Sequence, residues 1–140
     1  MRRAVVLLLV AAACTTGGSQ DPSPSPVVCT VRFAAPAGFQ PLEPFEEEYD
    51  DHVGVRLGFR DGRREVHVFA GIPGEFGEGL PRAGEVTLTD DRTALMAGRR
   101  DVWVISWNED DLCDPRSVLG NGFSRDEFLA ALTDMGLAPD

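Results

Sequence analysis

The sequence predicts an α+β domain: an antiparallel, meandering sheet of six or seven strands with a C-terminal helix packed on one face. Several short segments alternate apolar and polar residues with period two, the pattern of a half-buried strand. Asp61-Gly62 stands between two such segments, a hairpin signal. Near the end of the chain Phe128, Leu129, Leu132 and Met135 make one apolar helical stripe. A helix with such a stripe must bury it, and a sheet face is the only large apolar surface available.

The first residues give a destination rather than an element. Met1-Arg2-Arg3 is followed by an apolar run over 4–13, then Cys14 and Thr15-Thr16-Gly17-Gly18-Ser19. A positive start, a short apolar core and small residues at a cut site describe an export signal. The run is too short to span a bilayer. Ala11-Ala12-Ala13-Cys14 resembles the lipobox of bacterial lipoproteins, with Ala11 where leucine is more usual. That resemblance implies cleavage before Cys14 and attachment of a diacylglyceryl group to its thiol. The expected organisation is a signal peptide over 1–13, a lipidated cysteine and flexible tether over 14–26, and one globular domain over 27–140. Pro22, Pro24 and Pro26 alternate with serine in the tether and favour an extended chain of roughly 3 Å per residue.

Residues 27–33 read as a first strand carrying Cys29, and 34–44, with three prolines, as a loop. The acidic stretch 43–51 fits a helical turn or a loop. Val53, Val55, Leu57 and Phe59 alternate with glycine and arginine, and Val66, Val68 and Ala70 answer them beyond Asp61-Gly62. A glycine- and proline-rich connection follows over 71–84. Short strands are expected over 85–89 and 93–97. Over 101–107 Trp103, Ile105 and Trp107 share one side and Val102, Val104 and Ser106 the other, so this strand belongs in the middle of the sheet. Residues 112–119 return as a strand carrying Cys113, with Pro115 at an edge or bulge. Ser124 and Glu127 form a capping box, Phe123 and Phe128 a hydrophobic staple, and Gly136 ends the helix.

From 102 to 137 the tryptophan-rich strand, the acidic turn, the returning strand, Gly120-Asn121-Gly122-Phe123-Ser124 and the Glu-Phe-Leu helix resemble small lipoprotein domains of unknown function from high-GC bacteria. The segment is also similar to the endings of membrane-tethered domains associated with anti-sigma factors. It covers about a quarter of the chain and implies no catalytic residues.

Charge excludes some partners. The 140 residues carry 13 basic and 23 acidic side chains, a formal net of −10. Cutting before Cys14 removes Arg2 and Arg3 and no acid. Such a surface repels nucleic acid and anionic lipid. After Cys14 is lipidated, Cys29 and Cys113 remain in an oxidising compartment, where only one disulfide can form. A reactive thiol or thiolate metal ligand is the alternative, and no Cys-x-x-Cys spacing supports it.

Candidate sites are few. The glycines of 71–84 lack the Gly-Lys-Ser/Thr of a phosphate loop, and no cofactor motif appears. His52 and His67 are the only imidazoles. The clusters over 46–51 and at Glu109, Asp110, Asp111 and Asp114 lack the spacing that wraps carboxylates around Ca²⁺, so no metal site is expected. Ser106, Ser117 and Ser124 lie in no nucleophile elbow, and no catalytic residue is assigned. Trp103 and Trp107 share a face that serves either as core or as a stacking platform beneath the 71–84 connection. The expected protein is a non-enzymatic lipoprotein on the extracytoplasmic face of the cell membrane that binds an envelope protein. The alternatives are a module for a small apolar or sugar ligand, then an envelope hydrolase.

Overall fold

The computed structural model describes residues 25–74 and 77–140. Among them nine strands form one open sheet: β1 (Val27–Val28), β2 (Gln40–Pro41), β3 (Phe45–Glu48), β4 (His52–Asp61), β5 (Arg64–Ala70), β6 (Arg82–Thr87), β7 (Thr93–Arg99), β8 (Val102–Trp107) and β9 (Arg116–Asn121). A single helix, α1 (Arg125–Asp134), follows them.

The strand order is β1-β4-β5-β9-β8-β7-β6, with β2 and β3 also on β4. This corrects the expected six- or seven-stranded antiparallel meander. The sheet is mixed, because β1 runs parallel to β4. It is not a simple meander, because β9 lies between β5 and β8. After β5 the chain crosses to the far edge and returns strand by strand. β5 and β8, which have no exposed residue, and β9, which has one, occupy the middle, where both faces are covered.

The hairpin over Asp61-Gly62 forms as expected. Asp61 pairs with Arg64, leaving a two-residue turn that Gly62 opens at φ 55°. The acidic stretch expected as a helical turn or loop is partly strand. Its residues 45–48 have no alternation, but β4 is ten residues long and its free edge pairs with both β3 and β2. The first strand ends early, at Val28, because the chain then crosses the sheet; Val31 and Phe33 pack on the core and Ala34 N–H donates to Met135 O at 2.8 Å. The strand expected over 112–119 starts only at Arg116. Before it, Asp111 and Asp114 side chains accept backbone N–H bonds from Cys113, Glu109 and Asp111 and hold a turn instead.

The core follows from the register. Leu57, Val68, Val118, Ile105 and Met96 pair in turn across five strands and form one apolar row. The next row is Phe59, Val66, Gly120, Trp103 and Gly98. Gly120 leaves the space that Phe128 fills: a Cβ there would lie 2.6 Å from the Phe128 ring. Phe128, Leu132 and Met135 are fully buried in the same cluster. Ser124 accepts from Glu127 N–H at 3.2 Å, and Phe123 meets Phe128 edge to face at 6.2 Å. Gly136, at φ 74°, closes the helix with bonds from Gly136 N–H to Thr133 O and from Leu137 N–H to Leu132 O.

Candidate functional site

One corner of the sheet is built around the departure of β5. Val53 pairs with Val28 on one edge and Glu48 on the other. β1 therefore takes the place beside β4 that β5 vacates at Gly71. The Cys29–Cys113 disulfide, with Cα atoms 5.4 Å apart, bridges the gap to the segment that leads into β9. Gly71 turns away at φ 70° and donates its N–H to Cys113 O at 2.7 Å. A Cβ there would meet Cys29 Sγ at 2.5 Å and the His52 ring at 2.9 Å, so only glycine fits.

His52 closes this corner. Nδ1 lies 2.6 Å from Asp51 Oδ1 and Nε2 2.6 Å from the Gly71 carbonyl. Both partners accept, so both ring nitrogens donate and the imidazolium is the favoured form. The Asp51 carboxylate, then the Gly71 carbonyl, hold the His52 pKa above its ordinary value against the opposing effect of burial. The same bond lowers the pKa of Asp51. The ring stacks on Tyr49 with centroids 4.7 Å apart.

The second acidic cluster is the counter-charge of a buried arginine. The Arg116 side chain is 7% exposed and makes a two-pronged contact with Asp111, 2.9 Å at each Nη, while Nη1 also meets Asp114 at 2.9 Å. Glu109 Oε2 lies 3.0 Å from Nε as an ion pair, and accepts from Trp107 Nε1 at 3.0 Å. Burial alone would lower the Arg116 pKa, but the carboxylates raise it, Asp111 foremost; Asp111 is lowered in turn. Beside this group Val31, Leu88, Trp107 and Leu137 line an open cleft of about 440 Å³.

Trp103 and Trp107 lie on one face, as the alternation implies, but that face is the core. They are 8% and 5% exposed. The Trp103 indole donates to Phe123 O at 3.1 Å. The expectation that the 71–84 connection lies above them is corrected. A Cβ on Gly77 would touch Val104 at 2.7 Å, and Val104 points to the opposite side. Trp107 borders the open cleft beside Leu137. His67 is on that opposite side too, 3.1 Å from Glu65 Oε2.

The first acidic cluster lines a different surface. Glu46 pairs with Val55 and Glu48 with Val53, so these side chains share a face. Val28, Val31, Glu46, Val55, Leu57 and Val68 line a groove of about 230 Å³ there. A cleft of about 470 Å³ with Val27, Glu48, Tyr49 and Asp50 on its walls adjoins it. Val27, Val28 and Phe45 are 50%, 54% and 44% exposed, and the Arg56 guanidinium lies 5.1 Å above the Phe45 ring.

Sequence reasoning missed His52, Arg116 and the groove. The one visible signal was a lone arginine within two residues of Asp114 and close to Glu109 and Asp111. Cys14, the proposed lipid attachment residue, lies outside the described residues, as do 1–24 as a whole. Among the described residues no group of three or more His, Cys, Asp and Glu side chains is arranged to hold a metal ion, and no helix is long and apolar enough to cross a membrane. No protein family, curated protein or solved structure matches the chain.

Proposed function

We propose that the protein is a lipoprotein anchored through Cys14 to the extracytoplasmic face of the cell membrane, and that its domain binds another envelope protein without catalysing a reaction. The anchor reading rests on the export signal and on Ala11-Ala12-Ala13-Cys14. The binding reading rests on one observation: exposed Val28 rims an apolar groove lined by Val31, Val55, Leu57 and Val68, whereas Phe128 occupies the space over Gly120 between helix and sheet. Contiguous exposed apolar surface favours a macromolecular partner. A small-ligand module is the second reading, favoured by the open cleft between Trp107 and Leu137.

Detergent phase partitioning tests the anchor. The wild type should enter the detergent phase and Cys14→Ala the aqueous phase; equal partitioning into water would remove the anchor. A crosslinked pull-down of the membrane-tethered form tests the partner, with recovery of no envelope protein as the contrary result.

A further inference from the structure

The free edge of β3 and the groove beside it form a surface that the core does not use. We propose that it receives an extended, basic segment of the partner protein, which adds a strand to β3 and places an apolar side chain in the groove. This inference rests on the protein-binding reading and names its site and the chemistry of its ligand.

Three observations carry it. First, β3 pairs only with β4 among the described residues, and all four of its residues are exposed. The outer edge of a strand offers unpaired N–H and C=O groups to an incoming chain. Secondly, the groove on the Glu46 and Glu48 face is floored by Val55, Leu57 and Val68 and rimmed by exposed Val28. A strand added to β3 would direct every second side chain to this face, and a long apolar one would reach past Glu46. Thirdly, the charge is uncompensated. Asp61, Glu65, Asp90, Glu109, Asp111 and Asp114 each pair with an arginine. Among the described residues no arginine pairs with Glu46, Glu48 or Asp50. These charges repel a second copy of this edge and any anionic strand, and they attract lysine or arginine two residues before or after the apolar side chain, on the same face.

The test uses the full-length exported protein in detergent micelles and three fluorescent octapeptides with serine at every second position, so that the residues between the serines share one face: lysine and valine in turn (the lysine–valine peptide), lysine throughout (the lysine–serine peptide), and glutamate and valine in turn (the glutamate–valine peptide). The lysine–valine peptide should bind, more weakly as salt is raised, since charges farther apart than about 10 Å are screened at 0.1 M. The lysine–serine peptide should bind about tenfold more weakly, and the glutamate–valine peptide not at all. Glu46→Gln with Glu48→Gln should weaken lysine–valine binding about tenfold. Val28→Ser should weaken it severalfold with an unchanged melting temperature, because Val28 is already 54% exposed.

Equal binding of the two lysine peptides would reduce the surface to a general attraction for polycations and overturn the proposal. Equal binding of both valine peptides would show apolar adhesion without charge selection, and overturn it as well. If the pull-down recovers a partner that the Glu46/Glu48 variant retains, protein binding stands and this site falls. If no partner is recovered while the lysine–valine peptide still binds with these dependences, the site stands and the reading of its cellular partner falls.

Discussion

At His52 two acceptors, the Asp51 carboxylate and the Gly71 carbonyl, hold the two ring nitrogens, and this makes stability depend on pH in a definite direction. The folded pKa lies above the ordinary 6.5. The contribution is therefore complete below 6.5 and is lost as pH rises through the folded value. Asp51 acts in the opposite direction: its lowered pKa contributes above the ordinary 3.8 and fails as pH falls through the folded value. Thermal melts taken upward from pH 6 should show the wild type declining by a few degrees, for the loss of about 1 kcal/mol of charge-assisted hydrogen bonding. His52→Gln should start lower and stay flat across that window. A variant with the wild-type slope would assign the dependence to another group. None of this was legible in the sequence, where His52 is one of two imidazoles in an acidic stretch. Its acceptor at Gly71 is nineteen residues away and is delivered only by the β4–β5 pairing.

At the scale of the element, α1 is where local sequence and structure agree most closely. Its cap, staple and C-terminal glycine are chemistry within a few residues, and each forms. Leu132 is fully buried. Leu132→Ala should cost about 2–5 kcal/mol, as truncation of a buried leucine does. Ser124→Ala should cost about 1 kcal/mol through the lost cap. Chemical-denaturation curves of the two variants check both figures. A Leu132→Ala midpoint equal to wild type would mean that the helix is not held by this stripe. The strands were less legible than the helix. β4, β5 and β8 announce themselves by alternation, whereas β2 and β3 do not alternate and exist because β4 offers them an edge.

For the molecule as a whole, the disulfide joins the start of the domain to the segment that precedes β9. Cys29 and Cys113 are 84 residues apart, and closing a loop of that size contributes about 4–5 kcal/mol in the chain-entropy account. A domain of this kind has roughly 5–15 kcal/mol in total. Cys29→Ser with Cys113→Ser should therefore bring the denaturation midpoint close to the limit of folding and loosen the corner at Gly71. Proteolysis within 71–81 would report that loosening. A double variant that melts with the wild type would show that the hydrogen bonds from Cys29 N–H to Val53 and from Gly71 N–H to Cys113 hold the corner unaided.

By itself the sequence determined the hairpin at Asp61-Gly62, the capped C-terminal helix, the pairing of the two domain cysteines and the shared face of Trp103, Ile105 and Trp107. These depend on turn chemistry, capping, periodicity and counting, all of which act over a few residues or have a single solution. Only the tertiary structure decided that β9 lies between β5 and β8, that β1 runs parallel to β4, that the tryptophan face meets the helix rather than the 71–84 connection, and that Asp111 and Asp114 surround Arg116. Those outcomes join segments far apart in the chain. They are selected by which strands have two faces to bury, which backbone edges need partners and which buried charge needs counter-charges. A local pattern of residues does not carry that information.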